Sequence, residues 1–190
     1  VKLPLPPSCF ATIWEADDVY VEKYLTSFPG YYETGDAGYC DEDGYLYIMA
    51  RTDDVINVAG HRLSTGQLEE VLADHPDVAE CAVIGVADQL KGQLPLGLIC
   101  LYPNCNRLQD DIMAEAIALV KDRVGRVSSF NLIVVIERLP KTRSGKVLRG
   151  TMAKIADGEN WNMPATIDDP AILDEIKMAL QSIGYASGKS

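Results

Sequence analysis

The chain has 190 residues, 47% of them hydrophobic, and a formal net charge of −11. The apolar share supports a real core, in one ordinary domain or a small domain with an appendage, and excludes disorder by composition. The acidic balance argues against a general nucleic-acid binder, which needs a basic surface, and against an anionic membrane surface as partner.

No apolar run approaches the roughly 20 residues that span a bilayer. A signal peptide is not expected, since Val1-Lys2-Leu3-Pro4 leads directly into Pro-rich sequence. The five cysteines, Cys9, Cys40, Cys81, Cys100 and Cys105, form no CxxC pair and leave an odd one over. Cys81 and Cys100 fall in strand-like runs and read as small buried apolar residues. A reduced intracellular compartment fits this usage, and no cysteine stands beside a plausible base.

In chain order, the first fifty residues are turn-rich and aromatic, with Pro4, Pro6, Pro7, Pro29 and Gly30 among Phe10, Trp14, Tyr20, Tyr24, Phe28, Tyr31 and Tyr32. Asp43-Gly44 is a hairpin signal between Gly38–Cys40 and Tyr45–Met49. The segment reads as β structure that needs partners elsewhere. After Arg51 the pattern becomes a compact α+β alternation. Val55–Val58 reads as a strand. Ser64-Thr65-Gly66-Gln67 has capping-box spacing, and Leu68, Val71 and Leu72 then make one helical face. Cys81–Val86 and Leu96–Tyr102 are strand-like. Ile112, Ala116, Leu119, Val120 and Val124 follow the 3.6 period of an amphipathic helix. Leu132–Ile136 predicts another strand and Val147–Ala156 another helix. Ile172, Leu173, Ile176, Leu180 and Ile183 form a last amphipathic helix, after which Gly184–Ser190 reads as frayed. A boundary falls at Arg51–Asp54, where an ordinary turn or a hinge would serve.

Three polar clusters carry the chemistry. In Thr34-Gly35-Asp36 the glycine permits close backbone approach and the carboxylate can accept two vicinal hydroxyls, as a ribose offers; on its own the tripeptide is a weak signal and reads first as a structural turn. Arg51 and Arg62 flank an apolar strand ending in Gly60, and Asp36 lies fifteen residues before Arg51. An acid and two arginines could thus converge on a sugar and phosphate, or the arginines could be ordinary surface charges. Gly60 serves a tight turn or keeps a channel open. The third cluster, Leu139-Pro140-Lys141-Thr142-Arg143-Ser144-Gly145-Lys146-Val147-Leu148-Arg149, places four cations within nine residues around a Ser-Gly turn. A lysine on such a loop has long reach and three donors, suited to a phosphate or carboxylate oxygen. It is not a P-loop, because Pro140 and Val147 stand where that template needs Gly and Ser or Thr. His75, before Pro76 at a helix end, reads as a C-terminal dipole partner, and Lys121 as a solvated charge.

Taken in order, these clusters resemble the motif series of the adenylate-forming superfamily, over nearly the whole chain. Phe28-Pro29-Gly30-Tyr31-Tyr32, Ala59 to Gly66, Leu90-Lys91-Gly92-Gln93 and Thr166-Ile167-Asp168-Asp169-Pro170 are closest to AMP-forming short-chain acyl-CoA synthetases of the propionate and acetate type. The resemblance implies a small α+β C-terminal lid domain over residues 53–190, with a central antiparallel sheet flanked by helices. Residues 1–52 would be the β-rich end of the large N-terminal domain. The implied reaction joins a short-chain carboxylate, ATP with Mg2+, and CoA through an acyl-adenylate.

By that resemblance Asp36 and Arg51 would hold the ribose, Arg62 would reach the phosphate side, and Asp53 would be the hinge. Lys146 would bridge the carboxylate and the α-phosphate, and would be open to regulation by a lysine acetyltransferase and deacetylase. Ala59 and Gly60 would line a tunnel for CoA, and Lys121, where relatives carry arginine, would meet a CoA phosphate. Ala73, His75 and Val78 match a position where some relatives place a cation. The expected amino-terminal portion is absent, including a Ser/Thr/Gly-rich phosphate loop and the acyl pocket, so the expectation is a fragment without adenylating activity of its own. Its location would be mitochondrial matrix or cytoplasm. Two alternatives stand beside this: an adenylation domain with another acceptor, and a non-catalytic CoA-binding or regulatory module.

Overall fold

The computed structural model describes residues 1–186, apart from the side chains of residues 49, 50 and 53. The chain divides between Thr52 and Asp53 into two units. No helix among the described residues is long and apolar enough to cross a membrane.

The first unit contains α1 (Asp17–Leu25) and an antiparallel ribbon of β1 (Asp36–Cys40) and β2 (Leu46–Arg51). Register runs from Asp36↔Arg51 to Cys40↔Leu46 around the Asp43-Gly44 turn, with an irregularity between Ala37 and Gly38. A helix stands where the sequence carries strand-like texture. Its Val19 and Val21 disfavour helix intrinsically, so tertiary contact supplies the reason. Tyr20 and Tyr24, one turn apart, meet Phe10 and Tyr32 in an aromatic cluster. The Tyr24 and Tyr32 rings stack at 5.1 Å, and Phe10 meets Tyr20 edge-on at 5.3 Å. The Tyr20 hydroxyl donates to the Phe10 carbonyl at 3.3 Å. Trp14, Tyr45, Leu46 and Ile48 are exposed.

The second unit contains β3 (Val55–Val58), β4 (His61–Ser64), α2 (Thr65–Ala73), β5 (Val78–Asp88), β6 (Gly92–Leu101), α3 (Gln109–Arg123), β7 (Leu132–Val135), α4 (Arg149–Ala156) and α5 (Ile172–Ser182). Its sheet runs β4-β3-β6-β5, all antiparallel. β7 joins β6 in parallel from Leu96↔Leu132 to Ile99↔Val135. The parallel pairing follows from the connection, since α3 carries the chain back across the sheet before β7 begins.

Alternation along β5 and β6 sends successive side chains to opposite faces, and each face has its own helices. Val83, Ile99 and Phe130 pack with Leu68 and Leu72 of α2 and Ile112, Ala116 and Val120 of α3. Ile84, Leu96 and Leu98 pack with Met152 and Ile155 of α4 and Ile176 and Leu180 of α5. Each fully buried Leu or Ile contributes about 1.5–3 kcal/mol, so both layers are needed. Two local expectations change. Ser64 is the N-cap of α2, but its side chain makes no capping bond. The tail is not frayed at its start: the Ala186 N–H donates to the Ala156 carbonyl at 2.9 Å, and Ala186 is buried. The rest of that expectation lies outside the described residues.

Candidate functional site

The Lys146 loop is a small ribbon with a tight tip. The Thr142 N–H donates to the Lys146 carbonyl and the Gly145 N–H to the Thr142 carbonyl, each at 2.8 Å. The Lys146 N–H reaches the Thr142 hydroxyl at 3.1 Å, and that hydroxyl lies 3.0 Å from the Ser144 hydroxyl. Gly145 closes the turn at φ +82°, a left-handed conformation that explains the Ser-Gly pair. On its other side the ribbon is braced by the segment before α5, where Thr142 bridges Ile167 and the Asp168 N–H donates to the Lys141 carbonyl at 3.0 Å. Lys146 is therefore carried on ordered backbone.

The four cations of this segment separate into two kinds. Lys141 Nζ meets Glu80 Oε1 at 2.6 Å. Arg149 clasps Glu69 with both arms of its fork, Nε to Oε1 and Nη2 to Oε2, each at 2.8 Å. The ammonium of Lys146 and the guanidinium of Arg143 have no side-chain partner among the described residues, and both are exposed. The feet of the loop are neutralised against the body, and its tip presents two uncompensated positive charges. Such a tip favours an anionic ligand electrostatically.

Ala59 and Gly60 form the two-residue turn of the β3–β4 hairpin, between the paired Val58 and His61. Both have positive φ, +49° and +88°, as this hairpin class demands. A Cβ at Gly60 would meet nothing within 4 Å, so its glycine serves backbone conformation and leaves the surface above it low. The Ala59 N–H donates to the Lys91 carbonyl at 2.8 Å, tying the hairpin to the start of β6. Arg62 follows on β4, opposite Asn57, with its side chain exposed.

In the first unit, Asp36 and Arg51 are cross-strand neighbours on β1 and β2. Their charged ends stand 3.9 Å apart and about half exposed, the loose geometry of a weak surface pair. Thr34-Gly35-Asp36 is an ordered turn: the Asp36 N–H reaches the Thr34 hydroxyl at 3.2 Å, and the Thr52 N–H caps the Gly35 carbonyl at 2.8 Å. A Cβ at Gly35 would come within 2.8 Å of Arg51 Nη2, so the glycine lets the guanidinium lie against the turn. The Asp36 carboxylate remains open to hydroxyl donors.

Asp53 belongs to a single 3-10 turn, Thr52–Asp54, linking β2 to β3. Lys121 lies in the last turn of α3, half-exposed, without a side-chain partner among the described residues. His75 is more than a helix-end charge. It is buried, its Nδ1 accepts from the Asp77 N–H at 3.3 Å, and Nε2 carries its hydrogen toward Glu115 Oε2 at 3.3 Å. Arg107 bonds the same Glu115 and also Asp77, and holds the Glu115 carboxyl below the usual range. With the imidazole so engaged, Ala73, His75 and Val78 could offer a cation only backbone carbonyls. Among the described residues no cluster of three His, Cys, Asp or Glu could hold a metal ion.

Sequence patterns pointed to the loop but not to its supports. Glu69 sits among the polar positions of α2 and Glu80 early in β5, eighty and sixty-one residues from their partners. No local spacing marks such pairs.

Residues 67–146 match the family model described as AMP-binding enzyme C-terminal domain. The chain is 45% identical over 181 residues to acyl-CoA synthetase short-chain family member 3, mitochondrial, of Homo sapiens, covering 95% of this chain and 26% of that protein. It is 44% identical over 187 residues to propionate–CoA ligase of Escherichia coli (strain K12), covering 95% and 30%. The chain thus spans under a third of these relatives' length. Among solved structures, the amide bond synthetase McbA from Marinactinospora thermotolerans superposes with a TM-score of 0.57 at 26% identity, over 76% of this chain and 28% of that one.

Proposed function

We propose that this chain, whose residues 67–146 match the AMP-binding enzyme C-terminal domain, serves as the carboxy-terminal part of an AMP-forming short-chain acyl-CoA synthetase. The preferred acid is propionate, then acetate. One observation carries the reading: Lys146 stands exposed, without a side-chain partner among the described residues, at the tip of a loop whose feet are tied down by ion pairs. Two anions, a carboxylate and the α-phosphate of ATP, must approach one another for adenylation. A cation between them offsets the repulsion as charge moves onto the departing pyrophosphate.

The remaining assignments follow the same reading. Asp36, beside Arg51, accepts the ribose hydroxyls, and Arg62 meets phosphate. Ala59 and Gly60, whose turn leaves a low surface, border the path of CoA, and Lys121 meets one of its phosphates as a point charge rather than a fork. Asp53, in the single turn joining the two units, is the hinge. Residues 1–52 belong to the large domain and residues 53–190 to the mobile one. ATP enters with Mg2+. A cation at Ala73, His75 and Val78 would rest on backbone carbonyls and serve structure alone. Lys146, being accessible, is also a substrate for a lysine acetyltransferase and its opposing deacetylase, and acetylation would erase the charge that adenylation needs. The setting is intracellular.

The test is propionate-dependent ATP–pyrophosphate exchange by the full-length enzyme, with and without Lys146→Ala, and with acetate and butyrate for comparison. Exchange falling by about 10²-fold or more is expected, while CoA thioester formation from preformed acyl-adenylate persists. Exchange that survives the mutation places the cation elsewhere. Absence of exchange with every short acid rejects the synthetase reading. Lys121→Ala should raise the CoA Michaelis constant, and an unchanged value removes Lys121 from the CoA site.

A further inference from the structure

We propose that Glu69 and Arg149 form a positioning pair that sets the height and direction of the Lys146 loop, acting on the reaction through Lys146 without touching substrate. The proposal rests on the reading of Lys146 given above. Arg149 is the first residue of α4 and lies three residues beyond Lys146. Between them the chain descends from the loop tip, with Val147 bridged to Lys141 and the Leu148 N–H donating to the Pro140 carbonyl at 2.9 Å. Wherever Arg149 is fixed, the backbone of Lys146 follows.

Glu69 is held more tightly than a surface carboxylate. Besides the two bonds from Arg149, its Oε1 accepts the N–H of Val83 at 2.8 Å. One carboxylate therefore joins α2, the outer edge of β5 and the start of α4. Its side chain is 16% exposed and that of Arg149 28%, the least exposed of the Arg or Lys pairs with a carboxylate among the described residues. A half-buried ion pair gains little over apolar side chains of the same size, so net stability is a poor reason for one here. Its geometry offers a better one. A planar fork on a carboxylate fixes orientation as well as distance, which a lysine or an apolar contact does not. The beginning of α4 has no side-chain cap to do this instead. Lys141 on Glu80 anchors the opposite foot by a single bond.

Two measurements test the pair. In this chain, amide hydrogen exchange is followed in Arg149→Met, Arg149→Lys and Glu69→Gln. The Thr142, Gly145, Lys146 and Leu148 amides should exchange about tenfold faster in Arg149→Met while β6 amides change less than about twofold, with partial recovery in Arg149→Lys. In the full-length enzyme, Arg149→Met should lower the kcat of acyl-dependent ATP–pyrophosphate exchange about tenfold or more, leave the ATP KM within about twofold, and spare thioester formation from acyl-adenylate. Unchanged loop exchange overturns the proposal. So does an equal loss in both half-reactions, or faster exchange throughout β6, because either marks general loosening. If Lys146→Ala leaves adenylation intact, the catalytic half of the proposal falls with the Lys146 reading. The exchange measurement then still decides whether the pair holds the loop.

Discussion

Replacing Gly97 by alanine tests the packing that holds the sheet against α2 and α3. Gly97 lies mid-way along β6, and a Cβ built there would stand 2.9 Å from Phe130 Cζ, 3.3 Å from Ile133 Cγ1 and 3.4 Å from Leu72 Cδ1. Comfortable carbon–carbon separation is about 3.5–4.0 Å, so the Phe130 ring must retreat by more than half an ångström. It has little room, because Phe130 and Leu72 are completely buried. The preceding Ser129 also holds the chain in a left-handed turn at φ +51°. Overpacking of this kind costs about 1–3 kcal/mol, and alanine returns about 0.5–1 kcal/mol of chain entropy. At the middle of these ranges the net loss is about 1 kcal/mol, or a fall in Tm of about 2–4 °C. Urea unfolding followed by circular dichroism should show a lower midpoint at unchanged slope. Phe130→Leu removes the clashing ring edge and by itself costs about 1–2 kcal/mol. Combined with Gly97→Ala, the total should fall short of the sum by about 1 kcal/mol, since the residues touch. A Gly97→Ala protein as stable as its parent, or strictly additive costs, would refute the clash.

Three more outcomes are expected. Ala59→Gly should stabilise the chain by about 0.5–1 kcal/mol and Gly60→Ala destabilise it by about 1 kcal/mol, since both positions are left-handed; urea midpoints moving the other way would contradict the turn. Burial, with Glu69 beside Cys81 and Glu80 beside Cys100, pushes both thiols up to about 11. The unfolded chain ionises first, so this stability is full below the ordinary thiol value of about 8.5 and is lost as pH rises toward 11. A Cys81→Ala, Cys100→Ala protein should lose stability less steeply over that window, and parallel declines would exclude the thiols as the cause. Lys146→Ala should change stability by no more than about 0.5 kcal/mol, because the side chain is exposed and has no side-chain partner among the described residues; a large drop in Tm would mean the lysine supports the fold.

Much of the second unit is legible in the sequence because burial there imposes period. The strands around Val55–Val58, Cys81–Val86, Leu96–Leu101 and Leu132–Val135 and the helices around Ile112–Val120 and Ile172–Leu180 follow it closely. β4 is hidden because it is a four-residue edge strand with only Leu63 buried. α1 is hidden for a different reason: its support is a ring cluster drawn from Phe10 and Tyr32, outside the helix itself. Around the Lys146 loop, the Ser-Gly tip is local and readable. Glu69 and Glu80 are brought in by sheet and helix packing across long stretches of chain, and a charged residue on a helix surface looks alike whether it faces water or an arginine.

The two faces of the sheet are covered by helices from different stretches of the chain, and this sets an order of events on the ribosome. The β5–β6 hairpin and α2 leave the exit tunnel close together, and α3 follows within a few turns, so one face can close early. The other face, with Ile84, Leu96 and Leu98, waits for α5, which ends about 80 residues after β6. At roughly 5–20 residues per second, that face stays open for about 4–16 s. Through that interval the nascent chain displays a strip of isoleucine and leucine, the kind of surface on which chaperones act.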